Sequence, residues 1–265
     1  VIMSPAGDRL LLVENESLPT IATLSQPILR LAGMRILPSV NSRQVRVFDT
    51  GLTVKTIKDG KEMKIDLPAG IKLLYPAFSS DGRWISFVRY LDAGIELWVV
   101  DTATGKAGSV TPPRLNLVLG EPAWMPGNRK ILVTMIPENR GPAPVEPRIP
   151  IGPTIQVSGG KQTKVATYQD LLKSPFDEAL FEYYATAQPA LVDIAAGGIE
   201  LIGRPGLYLQ ADPSPDGRYL LIDRIKKPFS YSVSAYEFAH AAEIWDPAGN
   251  VLKLLLIFPP PRTSR

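Results

Sequence analysis

The sequence predicts an all-β chain: a β-propeller of four-stranded antiparallel blades, about four of them here and part of a larger ring. A proline-rich loop and a short helical insertion are expected in the third blade. Two observations predict this. The first is a recurring tight turn. Ser214-Pro215-Asp216-Gly217-Arg218 leads into Tyr219-Leu220-Leu221-Ile222, and Ser4-Pro5-Ala6-Gly7-Asp8 leads into Arg9-Leu10-Leu11-Leu12. Ser79-Ser80-Asp81-Gly82-Arg83 leads into Trp84-Ile85-Ser86-Phe87, and a degenerate copy, Met125-Pro126-Gly127-Asn128-Arg129, precedes Lys130-Ile131-Leu132-Val133. Proline presets one backbone angle and Asp-Gly or Gly-Asn supplies the left-handed one, so each copy turns and enters a strand. The second observation is that each copy is succeeded by further strand-length apolar runs, separated by turn signals. A turn-to-strand unit that recurs along a chain marks a repeat architecture.

The units run in order, at about residues 3–68, 75–112, 121–205 and 211–258, with a patternless tail at 259–265. In the first, residues 4–13 are followed by a polar link in which 21–31 reads as a short helix. A run at 45–48 comes next, then a hairpin of 52–57 and 62–67 around Asp59-Gly60, a strong two-strand signal. The second is the most regular: 84–90, 95–101, the turn Thr102-Ala103-Thr104-Gly105-Lys106, and 107–111. The third opens at Glu121-Pro122-Ala123-Trp124 and 130–136, then is interrupted by the proline-rich residues 139–153, which favour extended backbone. A helix comes after them: Ser174 can cap it, Pro175 suits its first turn, and Asp177 and Glu178 favour its positive end. Phe176, Leu180 and Tyr184 fall on one face of it. Residues 190–194 and 199–202 complete the unit. The fourth has 219–225, a long polar-aromatic loop at 226–242, Glu243-Ile244-Trp245-Asp246 and 251–258.

Composition narrows the function classes. Of the 265 residues 45% are hydrophobic, enough for a sizeable core, and the net charge of +3 is dispersed. No basic run interleaves with aromatics, so no nucleic-acid partner is expected. With no cysteine, disulfides, thiolate catalysis and Cys-type zinc sites are excluded, while the compartment stays unassigned. The longest apolar runs are strand-length, so no membrane-spanning helix is expected, and no cofactor or metal is expected either. Val1-Ile2-Met3 runs straight into a repeat turn, as in a chain cut from something longer. Four blades in an open arc would leave exposed edges and apolar faces, so such a piece is expected to need the rest of its ring.

The insertions carry a resemblance. Leu31-Ala32-Gly33-Met34-Arg35-Ile36 through Asn41, Thr50-Gly51-Leu52, Ile136-Pro137 with Arg140-Gly141-Pro142, and Pro150-Ile151-Gly152-Pro153 are four of the stretches. Thr167-Tyr168-Gln169-Asp170-Leu171-Leu172, Tyr183-Tyr184-Ala185-Thr186-Ala187-Gln188, and Lys227-Pro228-Phe229-Ser230-Tyr231 with Glu243-Ile244-Trp245-Asp246 are the others. Together, and in this order, they resemble the prolyl oligopeptidase family of serine peptidases, in the branch of the chloroplast-type glutamyl endopeptidases and their bacterial relatives. The resemblance implies a propeller covering a C-terminal α/β-hydrolase domain, absent from this chain, with peptides as substrates.

The chemistry of such an enzyme needs a Gly-x-Ser-x-Gly elbow, a histidine base and an orienting aspartate. No such elbow occurs: Ser109 and Ser158 each have one adjacent glycine only. The single histidine, His240, reads as a surface or interface residue of the fourth-unit loop. The chain alone is therefore expected to be inactive, with no catalytic residue and no metal ligand. Asp81, Asp101, Asp216 and Asp246 read as turn-stabilising carboxylates. Trp84, Trp98, Trp124 and Trp245 read as packing between blades. The candidate functional segment is residues 224–237, longer than a hairpin requires and mixing cations with aromatics. Arg224, Lys226 and Lys227 could pair with an acidic substrate, and Tyr231 and Tyr236 could wall the site; docking on a hydrolase domain is the plainer role. The resemblance implies a basic residue just before Phe238, where this chain has Glu237. The alternative is a free-standing propeller acting as a protein-interaction module.

Overall fold

The computed structural model describes residues 1–146 and 169–259. Residues 150–153 and 167–168, Ser158, the proline-rich stretch beyond residue 146 and the tail beyond 259 lie outside them. The chain is all-β, built from successive antiparallel meanders.

The first meander comprises β1 (Ile2–Met3) and β2 (Arg9–Asn15). Its connection to the third strand carries a helical turn α1 (Ile21–Leu24) and a separate three-stranded sheet, β3 (Leu29–Leu31), β4 (Met34–Leu37) and β5 (Ser42–Arg43). Then β6 (Asp49–Thr56) and β7 (Glu62–Lys64) complete the meander. The second runs β8 (Lys72–Phe78), β9 (Trp84–Leu91), β10 (Gly94–Asp101), β11 (Ala107–Ser109). The third runs β12 (Ala123–Trp124), β13 (Lys130–Met135), then helix α2 (Pro175–Ala185), β14 (Gln188–Asp193) and β15 (Ile199–Leu201). The fourth runs β16 (Tyr208–Pro213), β17 (Leu220–Ile225), a 3-10 turn at Ala235–Glu237, β18 (His240–Trp245) and β19 (Val251–Phe258). The first two meanders merge into one eight-stranded sheet through the single pairing of Asp49 with Leu73.

The recurring turn sits between the first and second strand of every meander. Gly7, Gly82 and Gly217 have φ of 69°, 69° and 70°, and Asn128 takes 58° in the degenerate copy. Each turn closes the same way: the amide of Ser4, Ser79, Met125 or Ser214 donates to a carbonyl five residues on, at 2.9 Å in every copy. The turns also meet in sequence order. A Cβ added to Gly82 would lie 3.9 Å from Ser4 and Pro5, and one on Gly217 would lie 3.5 Å from Pro126. Between them, the Ser80 hydroxyl and amide donate to Asn128 Oδ1 at 2.7 and 2.8 Å. The four aspartates Asp81, Asp101, Asp216 and Asp246 accept backbone amides of their own turns, at Arg83, Ala103, Arg218 and Asn250.

Strand alternation stacks the meanders face to face. Ile131, Val133, Ala190 and Val192 of the third pack against Val88, Ile95 and Leu97 of the second. The interleaved residues Leu132 and Leu191 point the other way, against Tyr208, Leu220, Ile222 and Trp245 of the fourth. Leu11, Leu52 and Val54 meet Ile85, Phe87 and Val100 in the same manner. Side-chain direction alternates along a strand, so one register serves two neighbours at once. Trp245 stands edge-on to Tyr208 at 5.9 Å, and the Trp124 indole donates to the Ala77 carbonyl of the preceding meander. At the far end the pattern stops: β19 pairs with β18 but all eight of its residues are exposed.

Some local readings differ from the sequence expectation. The helix expected over 21–31 ends at Leu24, and residues 29–31 are a strand. Pro27 has no amide to donate and disfavours helical backbone at Gln26, so the helix stops ahead of it. Residues 45–48 are irregular rather than extended pairing, and the strand begins at Asp49. Helix α2 starts as expected, with Ser174 accepting the Asp177 amide and Pro175 in its first turn. Its buried line is Phe181 and Ala185, with Leu180 and Tyr184 only partly covered.

All three long insertions join a second strand to a third, so they emerge at the same end of their sheets and share a core. Leu31, Met34 and Ile36 come from the first, Leu172, Phe181 and Ala185 from the third, and Phe229, Val233 and Phe238 from the fourth. Phe181, Phe229 and Phe238 form a closed aromatic trio at 5.3, 5.8 and 5.5 Å. The end of α2 is held by Asn41 and Asn116, whose side-chain amides donate to the Tyr184 carbonyl at 2.6 and 3.0 Å. The backbone at Ala32–Gly33 lies against Ser234–Ala235: the Ala235 amide donates to the Ala32 carbonyl at 2.8 Å. A Cβ on Gly33 would sit 2.4 Å from Ser234 Cβ.

This contact is testable with two glycines of like backbone. Gly33 and Gly60 have φ of 77° and 71°, but nothing lies within 4 Å of a Cβ on Gly60. Gly60→Ala is expected to cost about 1 kcal/mol for the left-handed backbone alone. Gly33→Ala is expected to cost about 2–4 kcal/mol, because overpacking adds to that. Urea unfolding of both variants checks it; equal losses would mean that the insertions do not depend on this approach.

Candidate functional site

The predicted cations are not free. Arg224, on β17, donates to Glu243 Oε1 at 2.7 Å, and Lys226 Nζ lies 3.5 Å from the same oxygen. Glu243 is 4% exposed, and its other oxygen accepts the Trp245 indole at 2.9 Å. Burial opposes ionisation of Glu243. The Trp245 bond, the Arg224 bond and charge and the Lys226 charge outweigh it and hold the carboxyl below its ordinary value. Lys227 pairs with Glu182 of α2 at 2.7 Å and lies over the Phe229 ring. Tyr231 packs beside the insertion core; burial, then its bond to Glu178, pushes its hydroxyl up to about 12. Arg224 and Lys226 therefore brace the fourth sheet, while Lys227 and Tyr231 fasten loop 226–239 to α2.

Of the five predicted residues Tyr236 is the one that lines a cleft; Lys227 is exposed but paired with Glu182. Tyr236 is 47% exposed and lines a polar cleft of about 550 Å³ with Arg35, Arg43, Arg46, Asp170 and Ser234. Its hydroxyl accepts from Arg43 Nη1 at 3.1 Å, while Arg43 Nη2 donates to Glu121 at 2.7 Å. Arg43 also lines a second cleft of about 320 Å³ between the third and fourth meanders, with Glu121, Tyr208 and Gln210. Tyr75 stands beside Arg43 and Glu121, and burial raises its hydroxyl against the pull of Arg43. It adopts φ 55° where β8 shifts register between Leu74 and Ala77. A bulky residue in the left-handed region is strained, and the bulge is what aims it here. A third cleft, of about 580 Å³ and mostly apolar, lies at Arg114, Pro137 and Arg140 and contains none of the predicted residues.

Arg43, Arg46, Tyr75 and Glu121 are not legible in the sequence as site residues. Arg43 and Arg46 lie in the first insertion, Tyr75 on a first strand and Glu121 in the link to another. Only the motif ending at Asn41, two residues before Arg43, signals that this insertion matters. His240 differs from expectation: it opens β18 rather than lying in the loop. Its Nδ1 is 2.8 Å from the Phe238 carbonyl oxygen, its Nε2 is 3.5 Å from Asp223, and its ring stacks on Phe258 at 4.4 Å. Burial raises the Asp223 carboxyl against the charge of His240. Among the described residues no group of three or more His, Asp or Glu is placed to hold a metal ion.

The Glu243 cluster makes a pH prediction. A carboxylate whose folded pKa lies below its unfolded value contributes stability above the unfolded pKa, near 4, and loses it as pH falls through the folded one. Glu243→Gln is expected to cost about 2 kcal/mol at pH 7, the worth of a hydrogen bond to a charged group. The gap between the variant and the unaltered protein should close as pH falls below about 4. Urea midpoints from pH 3 to 7 check this; a gap constant with pH would mean the charge of Glu243 is not what stabilises the sheet.

No family model matches the sequence. The chain is 34% identical over 271 aligned positions to a probable glutamyl endopeptidase, chloroplastic, of Oryza sativa subsp. japonica, covering 97% of this chain and 29% of that protein. The Arabidopsis thaliana protein of the same description is 33% identical, with 97% and 28% covered. The chain thus spans less than a third of the length of these curated relatives. Among solved structures, the Pyrococcus horikoshii acylaminoacyl peptidase aligns at 12% identity with a TM-score of 0.49, covering 92% of this chain and 33% of that one. Over nearly its whole length the chain is homologous to a segment of the chloroplast-type glutamyl endopeptidases, the branch of the prolyl oligopeptidase family that its insertions resemble.

Proposed function

We propose that this chain is the non-catalytic propeller portion of a serine peptidase, which gates access of peptides to an α/β-hydrolase active site supplied by further chain. The observation that carries the reading is homology over 97% of the chain to proteins described as glutamyl endopeptidases, in a sequence without a Gly-x-Ser-x-Gly elbow. Three features support it. The long insertions sit at one end of the sheets and share a core, which makes a rim rather than three loose loops. A polar cleft opens beside that rim, lined in part by Tyr236. The exposed apolar strand β19 and the exposed Leu221 of β17 form a surface that further chain would cover. On this reading the reaction is peptide-bond hydrolysis, after glutamate as the relatives' name implies, and loop 226–239 contacts substrate or the catalytic domain.

A serine-reactive fluorophosphonate tests the division of labour. The 265-residue protein should neither be labelled nor cleave peptides, while the longer native gene product should be labelled outside these residues. In that longer protein Tyr236→Ala is expected to raise KM for peptides about fivefold and leave hydrolysis of a small ester unchanged, the mark of lost substrate binding. Labelling or peptide cleavage by the 265-residue protein itself would overturn the assignment.

A further inference from the structure

We propose that Arg43 and Arg46, with the Tyr236 hydroxyl, form a binding site for a carboxylate group of a peptide lying in the cleft between the first and fourth insertions. This site deepens the peptidase reading and rests on it for the ligand being a peptide.

The charge in this cleft is uneven. Arg35 donates to Asp170 at 2.9 Å, and Arg30 approaches the other oxygen of Asp170 at 3.8 Å, so that carboxylate is already shared by two cations. Arg46 lines the same cleft, is exposed, and forms no hydrogen bond, ion pair or ring contact with any described residue. Arg43 is oriented rather than free: Glu121 takes one terminal nitrogen and Tyr236 the other. A guanidinium carries five N–H donors in a planar fork, so these two bonds fix its plane and leave donors over. Its side chain is 33% exposed, which keeps it desolvated enough to bind strongly and open enough to be reached. Arg43 also lines both clefts, so a chain passing from one to the other must cross it. Three arginines and one aspartate line the larger cleft, which gives it two positive charges in excess.

A carboxylate could come from an acidic side chain or from a peptide C-terminus, and the two are separable. The probes are acetyl-Ala-Ala-Glu-amide, acetyl-Ala-Ala-Ala with a free C-terminus, and acetyl-Ala-Ala-Ala-amide, titrated into the 265-residue protein by calorimetry. One or both carboxylate peptides should bind at least about tenfold more tightly than the neutral amide, and which one does names the source. Arg46→Gln should remove most of that preference with an unchanged Tm, because the side chain forms no hydrogen bond, ion pair or ring contact with any described residue. Arg43→Lys keeps the charge and loses the fork, and should weaken carboxylate binding about fivefold or more. Equal binding of the three peptides, or a preference that survives both substitutions, would overturn the proposal. So would inorganic phosphate competing as well as the carboxylate peptides, since that marks a generic anion site. The readout needs no catalysis. A carboxylate preference in a protein whose longer gene product is not labelled by fluorophosphonate leaves this site standing and removes the peptidase reading; labelling without the preference does the reverse.

Discussion

Phe181, edge-on against Phe229 and Phe238, is the contact on which the functional end of this molecule depends. The meanders hold themselves together by hydrogen-bonded ladders and alternating faces. Among the described residues the insertions have no such ladder to one another. What fixes them is burial of a shared apolar core and a few amide bonds, Ala235 to Ala32 and Gly33 to Asp170 among them. Aromatic trios of this kind combine large buried area with a preferred geometry, so they set position as well as stability. The first insertion joins this core through Leu31, Met34 and Ile36 and the Ala235 to Ala32 bond, which is what brings Arg43 within reach of Tyr236.

Electrostatics then divides the cations of this region into two roles. Glu243 is almost fully buried, and a buried carboxylate is tolerable only when its charge is met. Arg224 and Lys226 meet it, which ties the root of loop 226–239 to the sheet and withdraws both cations from any ligand. Lys227 pairs with Glu182 at the surface. In the first insertion Arg43 is held by Glu121 at the wall of the cleft, and Arg46 lines it with no ion pair to a described residue. Sequence position alone would place the binding chemistry in the fourth unit, but pairing displaces it across the rim.

That displacement shows where legibility in the sequence ends. The repeat turns are readable because Pro, Asp and Gly fix backbone angles locally, and the strands because alternation is local too; Ser174 as a cap is likewise a short-range signal. The family resemblance comes from the insertions and agrees with the alignment to the curated relatives. The helix expected over 21–31 is too long because an apolar run there outweighs the single breaker Pro27. Arg43 meeting Tyr236 is out of reach, because those residues are 193 positions apart and nothing local brings them together. Equally, nothing in the loop's sequence says that Glu243, which sits opposite Ile222 on the neighbouring strand, will consume Arg224. Pairing of charges is a tertiary fact, and it is what converts a set of cations into a site.

The meanders have an order along the chain, and the order bears on the site. Each recurring turn touches the next, from Ser4 and Pro5 to Gly82, from Ser80 to Asn128, and from Pro126 to Gly217. These contacts fix the spacing between successive meanders at one end, while the shared insertion core fixes it at the other. Arg43 and Glu121 lie between the two, in clefts bounded by the third and fourth meanders. A change in the angle between those meanders would therefore open or close the cleft without altering any residue in it. The exposed strand β19 belongs to the same fourth meander, joined to it through the β18–β19 ladder.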